Sequence, residues 1–395
     1  MRINTGYVKI GQTAKTLMHD VLESSKISNG KYVRQLEEMH ARKHDVKHAI
    51  CVGSGTEADY LAIRALKEKY GLPDGGEIVC PALTFISVAN AIVLANMTPV
   101  FVDTDPFNMR YDDLEHKIDW KRTRAILAVH FGGLPLDMKR IRQISRMNGD
   151  IPIIEDCACA HGSMADGRMV GGFGDISTWS MYVAHIVTAG GGGIVGTNDD
   201  ELADIIRSLR AYGRMCRKTC GCNECDVKCG GIQRFKYDLF GINSRMTEME
   251  AVIGIDQMQI YDEIVRKRID NFELLKHLLT LSGILPEKAQ TFMQDFRAGF
   301  KMCPIFFPLV LTKEIDRTVV MHYLNSHGIE TRPLYFSIPT QQQIYATHFQ
   351  SNELFIEAER VGERGLYVGI HQGITQDDVG YIANKITLAI RKGLK

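Results

Sequence analysis

From about residue 47 to 210, short β-rich apolar runs alternate with helical ones. His48-Ala-Ile-Cys-Val52, Glu77-Ile-Val-Cys80, Pro99-Val-Phe-Val102, Ala125-Ile-Leu-Ala-Val129 and Ile151-Pro-Ile-Ile-Glu155 predict strands, each followed by a polar or helical stretch. Helices are expected over Thr56 to Lys69 and Phe85 to Leu94. Strands that alternate with helices in this way specify an α/β fold with a largely parallel sheet. Farther on, Thr247-Glu-Met-Glu250 has capping-box spacing and opens a helical stretch from Met249 to about Leu279. That stretch is the expected connector to a smaller α+β unit over about 290–395. The division expected is a large domain over 1–250 and a connecting helix with a small domain over 251–395. The run Gly190 to Gly193 requires a tight turn or a close backbone approach.

Composition narrows the partners. In 395 residues, Lys+Arg and Asp+Glu are equal at 47 each, so no net field favours nucleic acid or an acidic membrane. A small-molecule substrate is favoured. No window approaches an uninterrupted apolar membrane span and the first residues carry no signal-peptide pattern, so a cytoplasmic location is expected. Of the 10 cysteines, Cys216, Cys220, Cys222, Cys225 and Cys229 crowd one segment, 214–235. In a reducing compartment such crowding points to metal rather than to disulfides. Four close thiolates suit a zinc ion or an iron–sulfur cluster, and spacing alone leaves both open.

Two short segments carry candidate chemistry. Ser54-Gly55-Thr56, between a strand and a helix, offers backbone N–H groups suited to a phosphate. It is equally a plain turn with Thr56 near an N-cap. Glu155-Asp156 ends a strand where an open α/β sheet places its ligands, and a carboxylate there can pair with a protonated ring nitrogen. It is equally a turn former.

Taken in order, Ser54-Gly-Thr56, Pro81-Ala-Leu-Thr-Phe85, His130-Phe-Gly-Gly133 and Glu155-Asp156 resemble the signatures of the nucleotide-sugar aminotransferase (DegT) family. So do Gly174-Asp-Ile-Ser-Thr-Trp-Ser180, Gly190 to Asn198 and Gly241-Ile-Asn-Ser-Arg-Met-Thr247. The resemblance runs from about residue 30 to 390. It implies a fold-type-I, aspartate aminotransferase-like enzyme of pyridoxal or pyridoxamine 5′-phosphate (PLP or PMP), working as a homodimer. Carried over by position, Gly55, Thr56 and Ser180 would bind the cofactor phosphate, Phe85 would stack on the pyridine ring and Asp156 would pair with its nitrogen. Asn243 would reach the phosphate of the neighbouring subunit. Cys159 stands where the family usually has Gln or Asp near the phenolic oxygen, and Gly191 replaces a usual Glu.

The most informative departure is His185, which occupies the position of the Schiff-base lysine. No lysine occurs between Lys139 and Lys218 to replace it. An imidazole has no primary amine, but with an ordinary pKa of about 6.5 it moves protons at neutral pH. The exchange, together with Leu366-Tyr-Val-Gly-Ile-His-Gln-Gly-Ile-Thr375, resembles the PMP-dependent 3-dehydratase branch of the family. The cysteine segment resembles that of the iron–sulfur members of the branch, which act on CDP-4-keto-6-deoxyglucose. These likenesses imply dehydration at carbon 3 of a nucleotide-linked 4-keto-6-deoxyhexose, with His185 as the base. They further imply a 2Fe-2S or 4Fe-4S cluster and a separate NAD(P)H-dependent reductase as partner. Three rival readings stay open: a hydrolytic dehydratase with structural zinc, a non-catalytic metal-binding protein on the same scaffold, and an aminotransferase with an unusual base. Arg332 and Tyr335 are candidates for substrate specificity.

Overall fold

The computed structural model describes residues 3–215, 235–292, 299–349 and 353–393. The five cysteines expected to bind metal, Cys216, Cys220, Cys222, Cys225 and Cys229, lie outside the described residues.

Seven strands form the main sheet: β1 (His48–Val52), β2 (Glu77–Pro81), β3 (Thr98–Val102), β4 (Thr123–Val129), β5 (Ile153–Asp156), β6 (Ile176–Ser180) and β7 (Gly193–Thr197). Their spatial order is β1-β7-β6-β5-β4-β2-β3. Pairings among β3, β2, β4, β5 and β6 are all parallel, and β7 alone runs antiparallel, to both β1 and β6. β2 and β5 are buried along their whole length, as are β6 and β7, so none of them shows the alternation of a half-exposed strand, although β6 carries Ser177, Thr178 and Ser180.

Helices cover the sheet. α1 (Gln12–Ser24), α2 (Lys31–His44), α3 (Gly55–Tyr70) and α4 (Ser87–Leu94) come first. α3 is capped by Ser54, whose side chain accepts from the Glu57 N–H, so Thr56 does lie near the N-cap. The Thr247–Glu250 capping box is present, but the long helical stretch is two helices, Glu248–Gln259 and Tyr261–Leu281, broken at Ile260. Glu248 reaches back to accept from the N–H groups of Gly30, Tyr32 and Val33, which anchors the start of α2.

A second, antiparallel sheet is formed by β8 (Ala289–Gln290), β9 (Phe306–Leu311), β10 (Thr331–Pro333) and β11 (Gly365–Gly369), in the order β8-β9-β11-β10. The helices Arg317–Ser326 and Gln376–Gly393 pack together beside it. Among the described residues, no helix is long and apolar enough to cross a membrane.

Candidate active site

β5 and β6 are parallel neighbours, so their carboxyl ends, Asp156 and Ser180, emerge on the same edge of the sheet. α3 starts on that edge as well. A Cβ placed on Gly55 would lie 2.7 Å from Ser180 Cβ, so only glycine lets the first turn of α3 approach the end of β6. The four-glycine run closes the same corner. Gly190 and Gly192 adopt φ of 86° and 93°, and a Cβ on Gly193 would meet Ser54 O at 2.4 Å. The run is therefore both a turn and a close approach. N–H groups at the start of α3, the Ser180 hydroxyl and the exposed Thr56 converge here, as a phosphate requires.

Ser244 ties a further segment to this corner. It accepts from the Gly53 N–H at 3.0 Å and donates to Glu57 at 3.0 Å. Its neighbour Asn243 is exposed and accepts from Arg245 Nε at 2.9 Å. Within one chain, no described contact joins Asn243 to Gly55, Thr56 or Ser180.

Glu155 and Asp156 have different work. Glu155, fully buried, accepts from the N–H groups of Gly171, Phe173 and Gly174 and pairs with His130 at 3.2 Å. It is a structural hub. Asp156 Oδ1 accepts from the Ala158 N–H at 2.8 Å, so the turn-forming reading of this residue also applies. Burial pushes its pKa up to about 6. A second buried carboxyl, Asp59 of α3, stands near it and accepts from Thr178 Oγ1 at 2.6 Å. Thr178 is the register partner of Asp156 across β5 and β6. Burial and then the Asp156 charge hold Asp59 well above the usual carboxylate range. Two carboxyls set against each other in a buried place attract a cation, and a protonated ring nitrogen fits that demand.

Asp59 escaped notice in the sequence. Its signal was a carboxylate among Ala58, Leu61, Ala62 and Ala65 on the buried side of a helix.

His185 lies in the loop after β6, with its N–H donating to Tyr182 O at 2.9 Å and its ring half-buried. Its Nδ1 is 4.0 Å from Cys159 Sγ, which comes from the loop after β5. Burial and then the Arg268 charge push the imidazole down to about 4, against a hydrogen bond to the Ala158 backbone. The ring is therefore neutral at pH 7. Burial and then the Asp156 charge push the Cys159 thiol up to about 12, so it stays protonated. Arg268 is fully buried and donates to Ile305 O at 2.9 Å. It was not visible as a site residue in the sequence.

Phe85, 54% exposed, lies between β2 and α4 with its ring 5.6 Å from that of Tyr335. Burial, with Cys159 and Asp156 among the further causes, raises the Tyr335 hydroxyl well above its ordinary value, which puts this residue in the same group. Arg332 is exposed and pairs with Glu330 at 3.0 Å. A cavity of about 880 Å³ lined by Phe107, Met109, Tyr111, Leu134 and Lys276 shares none of its lining with these residues.

The order of the sheet and the overall architecture are those of the fold-type-I PLP-dependent aminotransferase class. Within it, the chain belongs to the DegT/DnrJ/EryC1/StrS aminotransferase family, whose model matches residues 8–387. It is 31% identical over 376 residues to a GDP-perosamine synthase of Escherichia coli O157:H7, covering 94% of each chain. It is 28% identical to a dTDP-4-dehydro-2,6-dideoxy-D-glucose 3-dehydratase of Saccharopolyspora spinosa, over 93% of this chain and 82% of that one. Among solved structures, it superposes with a TM-score of 0.86 and 25% identity on an E. coli GDP-4-keto-6-deoxy-D-mannose-3-dehydratase with bound hydrated PLP, covering 98% of this chain and 99% of that one.

Proposed function

We propose that the chain is a PMP-dependent dehydratase that removes the 3-hydroxyl of a nucleotide-linked 4-keto-6-deoxyhexose. The observation that carries this reading is His185: a neutral, half-buried imidazole near the Asp156 group, in a stretch without lysine from residue 140 to 217. Such a residue cannot attach a cofactor through an amine, but it can exchange a proton. The names of the S. spinosa and E. coli relatives support the reaction class.

When bound, PMP supplies an amine for the 4-keto group and an electron-withdrawing ring. Gly55, Thr56 and Ser180 would hold its phosphate, Phe85 would cover one face of the ring and Asp156 would hold a proton at the ring nitrogen. Asn243, exposed on one protomer, is suited to reach the site of a partner in a homodimer. Cys159 stands beside His185, and His185 would be the residue that accepts and returns a proton in that chemistry. Burial, and then the Arg268 charge, would keep His185 neutral so that it can accept a proton. The 3-hydroxyl would leave as water on receiving a proton, which His185 can return to it.

In the reading we favour, Cys216, Cys220, Cys222, Cys225 and Cys229 supply the ligands of an iron–sulfur cluster, either 2Fe-2S or 4Fe-4S. A cluster would pass electrons singly from a separate NAD(P)H-dependent reductase, and the enzyme would work in the cytoplasm.

The test is anaerobic purification, an absorption spectrum, and incubation with PMP and a nucleotide-linked 4-keto-6-deoxyhexose, read by mass spectrometry. Loss of the 3-hydroxyl is expected, with iron–sulfur charge-transfer bands. A colourless protein that dehydrates the sugar with glutamate as amino donor would replace the reductive version by the hydrolytic one. An amino sugar as product, or no reaction, would overturn the proposal.

A further inference from the structure

Behind the site, on the far side of the loop that carries Cys159, three histidines meet in the core. His40 and His44 lie one turn apart on the same face of α2, and His161 follows the Asp156–Ala160 turn. All three are buried, at 0%, 1% and 0% exposure. One ligand atom from each lies within 4.8 Å of the other two. The rings surround Trp179 of β6, with centroids 5.0, 4.2 and 4.7 Å from it.

A packing cluster would be expected to satisfy its polar atoms. These rings do not: both nitrogens of His40 and both of His161 are without a hydrogen-bond partner among the described residues. His44 is differently placed. Its Nδ1–H donates to the His40 carbonyl at 3.1 Å, which fixes the tautomer and leaves the Nε2 lone pair available. That lone pair accepts from the Tyr261 hydroxyl at 3.1 Å.

We propose that His40, His44 and His161 form a three-imidazole site for one divalent transition-metal ion of the zinc class. Imidazole nitrogen is a preferred donor for such ions, and three histidines with one further ligand make a common zinc coordination set. Ligand nitrogens about 2.0–2.1 Å from a tetrahedral ion stand roughly 3.4 Å apart, so a small rotation of the rings closes the site. Burial holds all three imidazoles neutral at pH 7, the state that a ligand requires. The Tyr261 hydroxyl, 3.1 Å from His44 Nε2, is a donor for the fourth position, and the ion would replace the proton it shares with His44, which leaves to solvent. The site would tie α2, the loop after β5 and the helix Tyr261–Leu281 together behind Cys159 and His185. None of its ligands belongs to the cysteine segment.

The test uses the full-length chain carrying Cys216→Ser, Cys220→Ser, Cys222→Ser, Cys225→Ser and Cys229→Ser, stripped with chelator and titrated with zinc or cobalt(II). One equivalent of zinc is expected to bind and to raise the melting temperature. Cobalt is expected to quench the buried Trp179, while emission from exposed Trp120 persists. His40→Phe and His44→Phe keep the ring volume and should abolish stoichiometric binding, the melting shift and the quench. Less than about one-tenth of an equivalent bound in the parent chain with no quench, or binding unchanged in both variants, would overturn the site. The parent titration decides the matter even where a variant fails to fold.

Discussion

Sγ of Cys159 lies 4.0 Å from Nδ1 of His185, although the two residues come from loops that follow different strands, β5 and β6. The contact joins a protonated thiol to a neutral imidazole. A thiol makes only a weak hydrogen bond with an imidazole nitrogen, whichever of the two donates, so the contact orients the ring without fixing its proton. In the proposed reaction, the pairing would position His185 as the base.

His185→Asn should therefore retain PMP binding, measured by absorbance or by thermal shift, while turnover falls by roughly 10²–10⁴-fold, the usual contribution of a general base. The cofactor-free chain offers a check through stability. A histidine whose folded pKa is lowered to about 4 binds fewer protons folded than unfolded between about 4 and 6.5, so it destabilises the fold as pH falls through that window. Asparagine has no such penalty. The variant should gain melting temperature relative to the parent as pH falls from 7 to 4, and an equal gain at every pH would contradict the assignment.

Cys159 should be inert to alkylation in the native chain. With the thiol pushed up to about 12, very little thiolate exists at pH 8. Peptide mass spectrometry after iodoacetamide is expected to find Cys159 unmodified until denaturant is added. Rapid native labelling would mean that the thiol is ionised and that its partnership with His185 is of a different kind. Cys159→Ala is expected to slow turnover several-fold while PMP stays bound.

Much of this arrangement was legible in the chain. Apolar runs marked several of the strands, and β1 falls where His48 to Val52 indicated, but β6, with Ser177, Thr178 and Ser180, carried no such run. The capping box at Thr247 was also visible, but not the break at Ile260, where nothing in the apolar pattern changes. Gly55 and Asp156, beside a glycine turn and at a strand end, could be picked out as candidates from the local pattern, whereas Ser180 came only from the family resemblance. Asp59, Arg268 and the three buried histidines could not. Each sits on a helix or loop whose neighbours belong to the core, and its partners are distant in sequence, so only folding brings them together.

Gly55 offers a test of the phosphate corner that is independent of the chemistry. An added methyl at this position would come 2.7 Å from Ser180 Cβ and 3.3 Å from its backbone Cα, and neither atom can swing away. Gly55→Ala should cost about 1–3 kcal/mol of stability, as overpacking does, and should weaken PMP binding more than tenfold. Inorganic phosphate is a useful second probe. It should raise the melting temperature of the parent chain and not that of the variant, and equal protection of both would move the phosphate site elsewhere.

Asp156 and Asp59 make the sharpest pH prediction, because two buried carboxyls cannot both ionise cheaply. Burial raises both, so the pair holds at least one proton more tightly than free carboxyls do, and a cation beside Asp156 would favour its ionised form. A carboxyl raised to about 6 from 3.8 contributes stability in its protonated form at low pH, and that contribution is lost as pH rises through 6. In the cofactor-free chain, Asp156→Asn should match the parent in melting temperature near pH 4 and exceed it increasingly up to about pH 6, with a plateau above. Adding PMP should reverse the order at pH 7.5, since only the carboxylate pairs with a protonated ring nitrogen. A difference that does not change with pH, or equal protection of both chains by PMP, would remove Asp156 from that role.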